Sequence, residues 1–115
     1  MTAAGLEAAR GQIPDLSVVV TTHGEGRVLV PTLRSLAAAV ARARQSGVSV
    51  EVLFVMVCTV AVTERVLDTH AFAEGAFPAP AQAVRVDNGD LGASRNDGIR
   101  AARADIVTVL DGDNL

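Results

Sequence analysis

The sequence predicts an α/β domain: a mainly parallel β-sheet with helices on both faces. Three observations carry that prediction. Short runs rich in Val and Leu alternate with segments whose apolar residues recur at helical spacing. The runs are apolar nearly throughout, as strands are when both faces of a sheet are covered. Polar residues follow immediately after the runs, where open parallel sheets bind their ligands.

The elements follow in order. Residues 1 to about 14 read as a flexible leader, and 15–115 as the domain. Leu16–Thr22 is a buried strand, and His23-Gly24-Glu25-Gly26 a turn. From about Arg27 to Ser46 the spacing of Leu29, Leu33, Leu36 and Val40 predicts a helix. Pro31 fits in its first turn, where a missing N–H costs little, and Gly47 is a suitable stop. Val50 to about Val57 is a second strand, Ala61–Ala73 a short helix, and Gly75–Pro80 a loop. Ala83–Val86 is a third strand, and Asp87-Asn88-Gly89-Asp90 a turn by composition. Ala93–Arg103 suits a helix with Ile99 and Ala102 inward, and Ile106–Leu110 is the last strand. Such alternation implies right-handed crossovers.

Composition sets bounds. Half of the 115 residues are hydrophobic, enough for one core, yet there is no Trp or Tyr and only three Phe. The core must therefore be aliphatic and Ala-rich. A net charge of -3 argues against a general nucleic-acid binder. All ten basic residues are Arg, which with the many alanines matches GC-rich bacterial coding. Cys58, alone and inside an apolar run, is expected to be a core thiol and excludes an internal disulfide framework. His70 is expected at the surface. Met1–Arg10 lacks the apolar centre of a signal peptide, and Val52–Val62 is too short to span a bilayer. The expectation is a cytoplasmic protein with no membrane segment of its own, or the cytoplasmic part of a membrane enzyme.

The chemistry concentrates at the end, in Asp111-Gly112-Asp113-Asn114-Leu115. Two carboxylates two positions apart at the end of an apolar strand are costly unless something binds them. The usual partner is a divalent cation such as Mg²⁺ or Mn²⁺, held together with substrate phosphates. Arg95, near a helix start where backbone N–H groups already favour anions, is a candidate for holding a diphosphate. Gly98 in mid-helix is expected to permit close packing.

Three segments together resemble the N-terminal half of inverting family 2 glycosyltransferases of the Rossmann-like GT-A fold. Ser17-Val18-Val19-Val20-Thr21-Thr22-His23 looks like the family's opening strand and nucleotide-contacting loop. Asp90-Leu91-Gly92-Ala93-Ser94-Arg95-Asn96-Asp97-Gly98-Ile99 looks like its "N-L-G-x-x-x-A-R-N-x-G-I" helix entry. Leu110-Asp111-Gly112-Asp113 looks like the strand end that carries its D-x-D motif. Leu33-Arg34-Ser35-Leu36 also matches its first helix. The resemblance spans roughly residues 16–115. It implies a nucleotide-diphosphate sugar donor, an acceptor of unspecified kind and a divalent metal, Mn²⁺ or Mg²⁺. By resemblance Asp113 binds the metal with Asp111, and Asp111 also contacts the ribose or sugar. Thr22 and His23 lie where the family meets the nucleobase, with Glu25 at the same mouth.

Two departures stand out. The family's second strand ends in an Asp that reads the nucleobase, whereas Phe54-Val55-Met56-Val57-Cys58-Thr59 carries no carboxylate. The family's general base and acceptor pocket belong to a second half that these residues do not include. The expectation is therefore an incomplete catalytic unit whose exposed sheet favours self-association. A non-catalytic GT-A-like binding or assembly module is the alternative. Val109-Leu110-Asp111-Gly112-Asp113 also resembles the nucleophile motif of haloacid dehalogenases, which normally opens its domain rather than closing it.

Overall fold

A computed structural model describes residues 13–87 and 90–112. Most of the expected leader, the Asn88-Gly89 turn centre and Asp113 lie outside them. The elements are β1 (Leu16–Thr22), a 3₁₀ turn (Gly26–Val28), α1 (Leu29–Gln45) and β2 (Val50–Val57). There follow α2 (Ala61–Leu67), a π turn (Asp68–Phe72), β3 (Ala81–Val86), α3 (Leu91–Ala101) and β4 (Ile106–Asp111).

The four strands form one parallel sheet in the order β3-β2-β1-β4. The chain first steps from β1 outward to β2 and β3, then returns across the sheet to place β4 on the other side of β1. The order therefore reverses between β1 and β4, and at such a reversal the flanking loops part to leave a crevice. The register brings Thr21 level with Val55 on one side and with Asp111 on the other. Right-handed crossovers put α1 and α2 on one face and α3 on the opposite face.

The core divides accordingly. On the α1–α2 face Val18, Val20, Val52, Phe54 and Met56 pack with Leu29, Leu33, Leu36, Val40, Val66 and Leu67. On the α3 face Val19, Leu53, Val55 and Val57 are buried. The period-2 alternation of side chains sends each strand's neighbouring residues to opposite clusters, which is why the strands read as unbroken apolar runs. α1 ends as expected at Gly47, which has φ 87°. The N–H of Val48 donates to Ala43 O and that of Gly47 to Arg44 O, satisfying two terminal carbonyls.

Three expectations need correction. The segment 61–73 is about two turns of α-helix followed by a π turn, closed by Ala73 N–H donating to Asp68 O. In α3 the inward positions are Ser94 and Gly98, both buried, whereas Ile99 is 42% exposed. Small residues face the sheet because the helix lies too close for larger ones: a Cβ on Gly98 would fall 2.5 Å from Val19 Cγ1 and 2.6 Å from Val55 Cγ2. Cys58 is exposed rather than core. It follows the last residue of β2 with φ 45°, so the backbone has already left the ladder.

Candidate active site

The C-terminal ends of β1 and β4, the loop after β1 and the first turns of α3 meet at the point where the strand order reverses. Asp111, the last residue of β4, is the centre of the group. Thr21 Oγ1 donates to its Oδ1 at 2.8 Å. Arg95 Nη2 donates to Oδ1 at 2.9 Å and to Oδ2 at 3.0 Å. The Arg95 guanidinium, and then the Thr21 hydroxyl, hold the Asp111 carboxyl below its ordinary range, outweighing the opposing effect of burial. Asp111 is therefore a carboxylate at neutral pH. Arg95 Nε is buried without a partner among the described residues, and Nη1 faces no protein acceptor there.

Local chemistry places Arg95. Asp90 caps α3, its carboxylate accepting from the N–H groups of Gly92 at 2.9 Å and Ala93 at 3.2 Å. The cap starts the helix two residues earlier than expected and satisfies two of the free N–H groups at its end. The anion that this helix start attracts is thus partly supplied from within. Arg95, one turn further on, carries the positive charge to the mouth.

The loop after β1 lines the other side. His23 N–H donates to Glu25 Oε1 at 2.7 Å, which folds Glu25 back over the end of β1. Gly112 N–H donates to Thr21 O at 2.8 Å, extending the β1–β4 pairing past Asp111. A Cβ at Gly112 would lie 2.9 Å from Thr21 O and 3.2 Å from Glu25 Cδ, so Glu25 sits directly against β4. The loop is anchored from behind, where Thr63 Oγ1 accepts from Gly26 N–H at 2.9 Å and His23 O accepts from Val60 N–H. The His23 ring is exposed and its Nδ1 meets Val57 O, so it stands over the ends of β1 and β2.

Of the residues expected at the site, His23, Glu25, Arg95 and Asp111 gather around one mouth. Thr22 does not present its side chain there. It is 1% exposed, and its hydroxyl donates to Val55 O at 3.1 Å. Alternation along β1 turns Thr22 towards the α1–α2 face and gives the site Thr21 instead. Thr21 was missed because its role depends on the β1–β4 register, which no local pattern discloses. Asp113 lies outside the described residues, among which no group of three or more His, Cys, Asp or Glu converges as a cation site.

A family model described as Glycosyl transferase family 2 matches residues 17–115. The chain belongs to that family. The match covers every strand and helix described above apart from Leu16, the first residue of β1, and membership assigns the fold to a Rossmann-like GT-A domain and the general reaction to glycosyl transfer from a sugar donor to an acceptor. It also removes the haloacid dehalogenase alternative for Asp111. No curated protein matches the chain. Among the described residues of this family 2 domain, no helix is long and apolar enough to cross a membrane.

Opposite the mouth, at the N-terminal ends of the strands, the domain holds a second polar group that sequence reasoning passed over. Glu51 is 5% exposed within β2. It accepts from Ser17 Oγ at 2.5 Å, from Arg103 N–H at 2.7 Å and from Arg103 Nε at 3.1 Å. Ser17 Oγ in turn accepts from Ala104 N–H at 3.1 Å. Burial pushes the Glu51 carboxyl up, but the donors from Ser17 and Arg103 together bring it below its ordinary value. A carboxylate inside an otherwise apolar strand was the available signal. The network ties the α3–β4 connection to β1 and β2, and so sets how far β4 carries Asp111 along the sheet.

Proposed function

We propose that this domain binds a nucleotide-diphosphate sugar at the mouth between β1 and β4 as the donor for glycosyl transfer. The observation that carries the reading is the Thr21–Asp111–Arg95 group at the reversal of strand order. Asp111 is held ionised in a fixed orientation, with one acceptor position, on Oδ2, left for a ligand. Arg95 has its Nη1 donors left for a diphosphate, for which a planar guanidinium is well matched.

A divalent cation fits Asp111 only through one oxygen. Oδ1 accepts from both Thr21 and Arg95, which occupies its lone pairs, whereas Oδ2 accepts from Arg95 alone. In this reading Asp113 and Asp111 Oδ2, with donor phosphate oxygens, would hold Mn²⁺ or Mg²⁺. Such an ion would neutralise charge on the departing nucleoside diphosphate. Arg95 supports the same negative charge from the α3 side.

Calorimetric titration of UDP and of GDP, with and without Mn²⁺, tests the proposal. Metal-dependent binding that Asp113→Asn abolishes is the expected result. A folded chain that binds neither nucleotide under either condition would refute it. Cys58 at the end of β2, where no carboxylate stands, favours a second reading as a non-catalytic binding module. Nucleotide binding without donor turnover in the presence of Mn²⁺ would select that reading.

A further inference from the structure

The polar groups of the mouth divide into two kinds. The β4–α3 side carries the charges of Asp111 and Arg95. The β1–β2 side presents the exposed imidazole of His23 and the exposed thiol of Cys58, beside backbone already engaged. Cys58 N–H donates to Val86 O, and His23 O accepts from Val60 N–H. A diphosphate belongs with the charged side. A planar, weakly polar base belongs with the other, where the exposed edge of a ring can meet the polar edge of the base.

The His23 ring is fixed in a way that decides what that edge is. Nδ1 is within hydrogen-bond reach of Val57 O. A carbonyl oxygen can only accept, so Nδ1 must carry the proton. In the neutral imidazole Nε2 is then unprotonated and acts only as an acceptor. Among the described residues Nε2 has no partner. The main-chain N–H of the same residue is tied to Glu25, which holds the backbone beneath the ring in place.

We propose that His23 Nε2 is the acceptor that reads the ring N–H of the donor's nucleobase, doing the work of the carboxylate that the end of β2 lacks. The inference rests on the nucleotide-sugar reading given above. It narrows the base to one with a ring N–H on its pairing edge, uracil, thymine or guanine. Adenine and cytosine present a ring nitrogen acceptor there instead. His23 is thereby a specificity-determining residue, and its tautomer, set by Val57 O, is the determinant.

The test compares UDP with N3-methyl-UDP, and GDP with N1-methyl-GDP, by calorimetry on the intact chain, with inorganic pyrophosphate as the base-free probe. For the matching base, methylation is expected to weaken binding about tenfold, the loss of one net hydrogen bond. In His23→Phe, which keeps an aromatic face but no acceptor, the parent and methylated nucleotides are expected to bind alike, at the weaker level. This second comparison separates a lost hydrogen bond from simple crowding by the methyl group. Equal binding of parent and methylated nucleotide by the unaltered chain would overturn the inference. So would methyl discrimination that persists in His23→Phe. Either outcome leaves diphosphate binding intact and the donor-site reading standing. Failure of nucleotides and pyrophosphate alike to bind would overturn both.

Discussion

Arg95 Nη2 spans both oxygens of Asp111, at 2.9 and 3.0 Å, joining the first turns of α3 to the last residue of β4. Each side chain is 38% exposed, so the pair contributes little to stability, roughly 0–1 kcal/mol. Its consequence is local: it orients the carboxylate and lowers its pKa. Arg95→Gln is expected to raise the Asp111 pKa towards the ordinary carboxylate value, followed by carboxyl NMR titration. The thermal midpoint should move little. Nucleoside diphosphate binding should weaken about tenfold, by loss of one charge-assisted contact. A large drop in stability with unchanged binding would show the pair to be structural.

Acid should act on the opposite end of the sheet. The folded-state pKa of Glu51 lies below its ordinary value of 4.5. The stabilisation it gives is therefore fully present above that ordinary value and is lost as the pH falls through the lowered one. Urea unfolding measured from pH 7 downward should show stability declining below about pH 4.5. Glu51→Gln should flatten the decline while lowering stability at pH 7. Asp111→Asn isolates the share that Asp111 adds in the same direction. A decline unchanged in Glu51→Gln would assign the acid sensitivity elsewhere.

Ser17→Ala tests the same network from its neutral member. The substitution removes a donor to Glu51 and the acceptor of Ala104 N–H, both buried. A loss of roughly 1–3 kcal/mol is expected from leaving such groups unsatisfied. Chemical denaturation with an unchanged m-value would show that the loss belongs to the folded state.

The alternation of elements was legible because each strand except β3 is a nearly continuous apolar run and α1 carries a clear helical period. Arg95 and Asp111 were legible as residue types at strand and helix ends. What the sequence withheld depends on register and distance. Thr21 and Thr22 are neighbours of the same type, and only the pairing of Thr21 with Asp111 separates their roles. Cys58 belongs to the apolar run in sequence but sits beyond the last strand residue, where φ turns positive. Gly98 was legible as a point of close packing, and the structure bears that out; hydrophobic periodicity could not register that Ser94 joins it on the inner face of α3 while Ile99 turns outward.

Gly98 gives the sharpest packing prediction. Alanine has the higher helix propensity, by about 1 kcal/mol, and at an exposed position would stabilise α3. Here the added methyl would meet two short, branched valine side chains at 2.5 and 2.6 Å. Val19 and Val55 are fully buried and cannot swing aside. The helix must lift from the sheet, and a net destabilisation of roughly 1–3 kcal/mol is expected. Denaturant unfolding measures it, and a stabilised Gly98→Ala chain would contradict the close approach.

Gly112 makes the corresponding prediction at the mouth, with a different readout. Its added Cβ would lie 2.9 Å from a backbone atom, Thr21 O, and 3.2 Å from both Glu25 Cδ and Leu29 Cδ1. The backbone contact cannot be relieved by a side-chain rotation, so the end of β4 must move away from β1 or Glu25 must leave its place. Either movement alters the mouth more than the core, because Asp111 is the preceding residue while the buried clusters lie further down the sheet. Gly112→Ala should therefore cost nucleoside diphosphate affinity, several-fold or more, out of proportion to a modest loss in thermal midpoint. Calorimetric titration and thermal unfolding of the same preparation separate the two effects. Unaltered affinity would mean that Glu25 and the Asp111 end of β4 do not jointly shape the donor site.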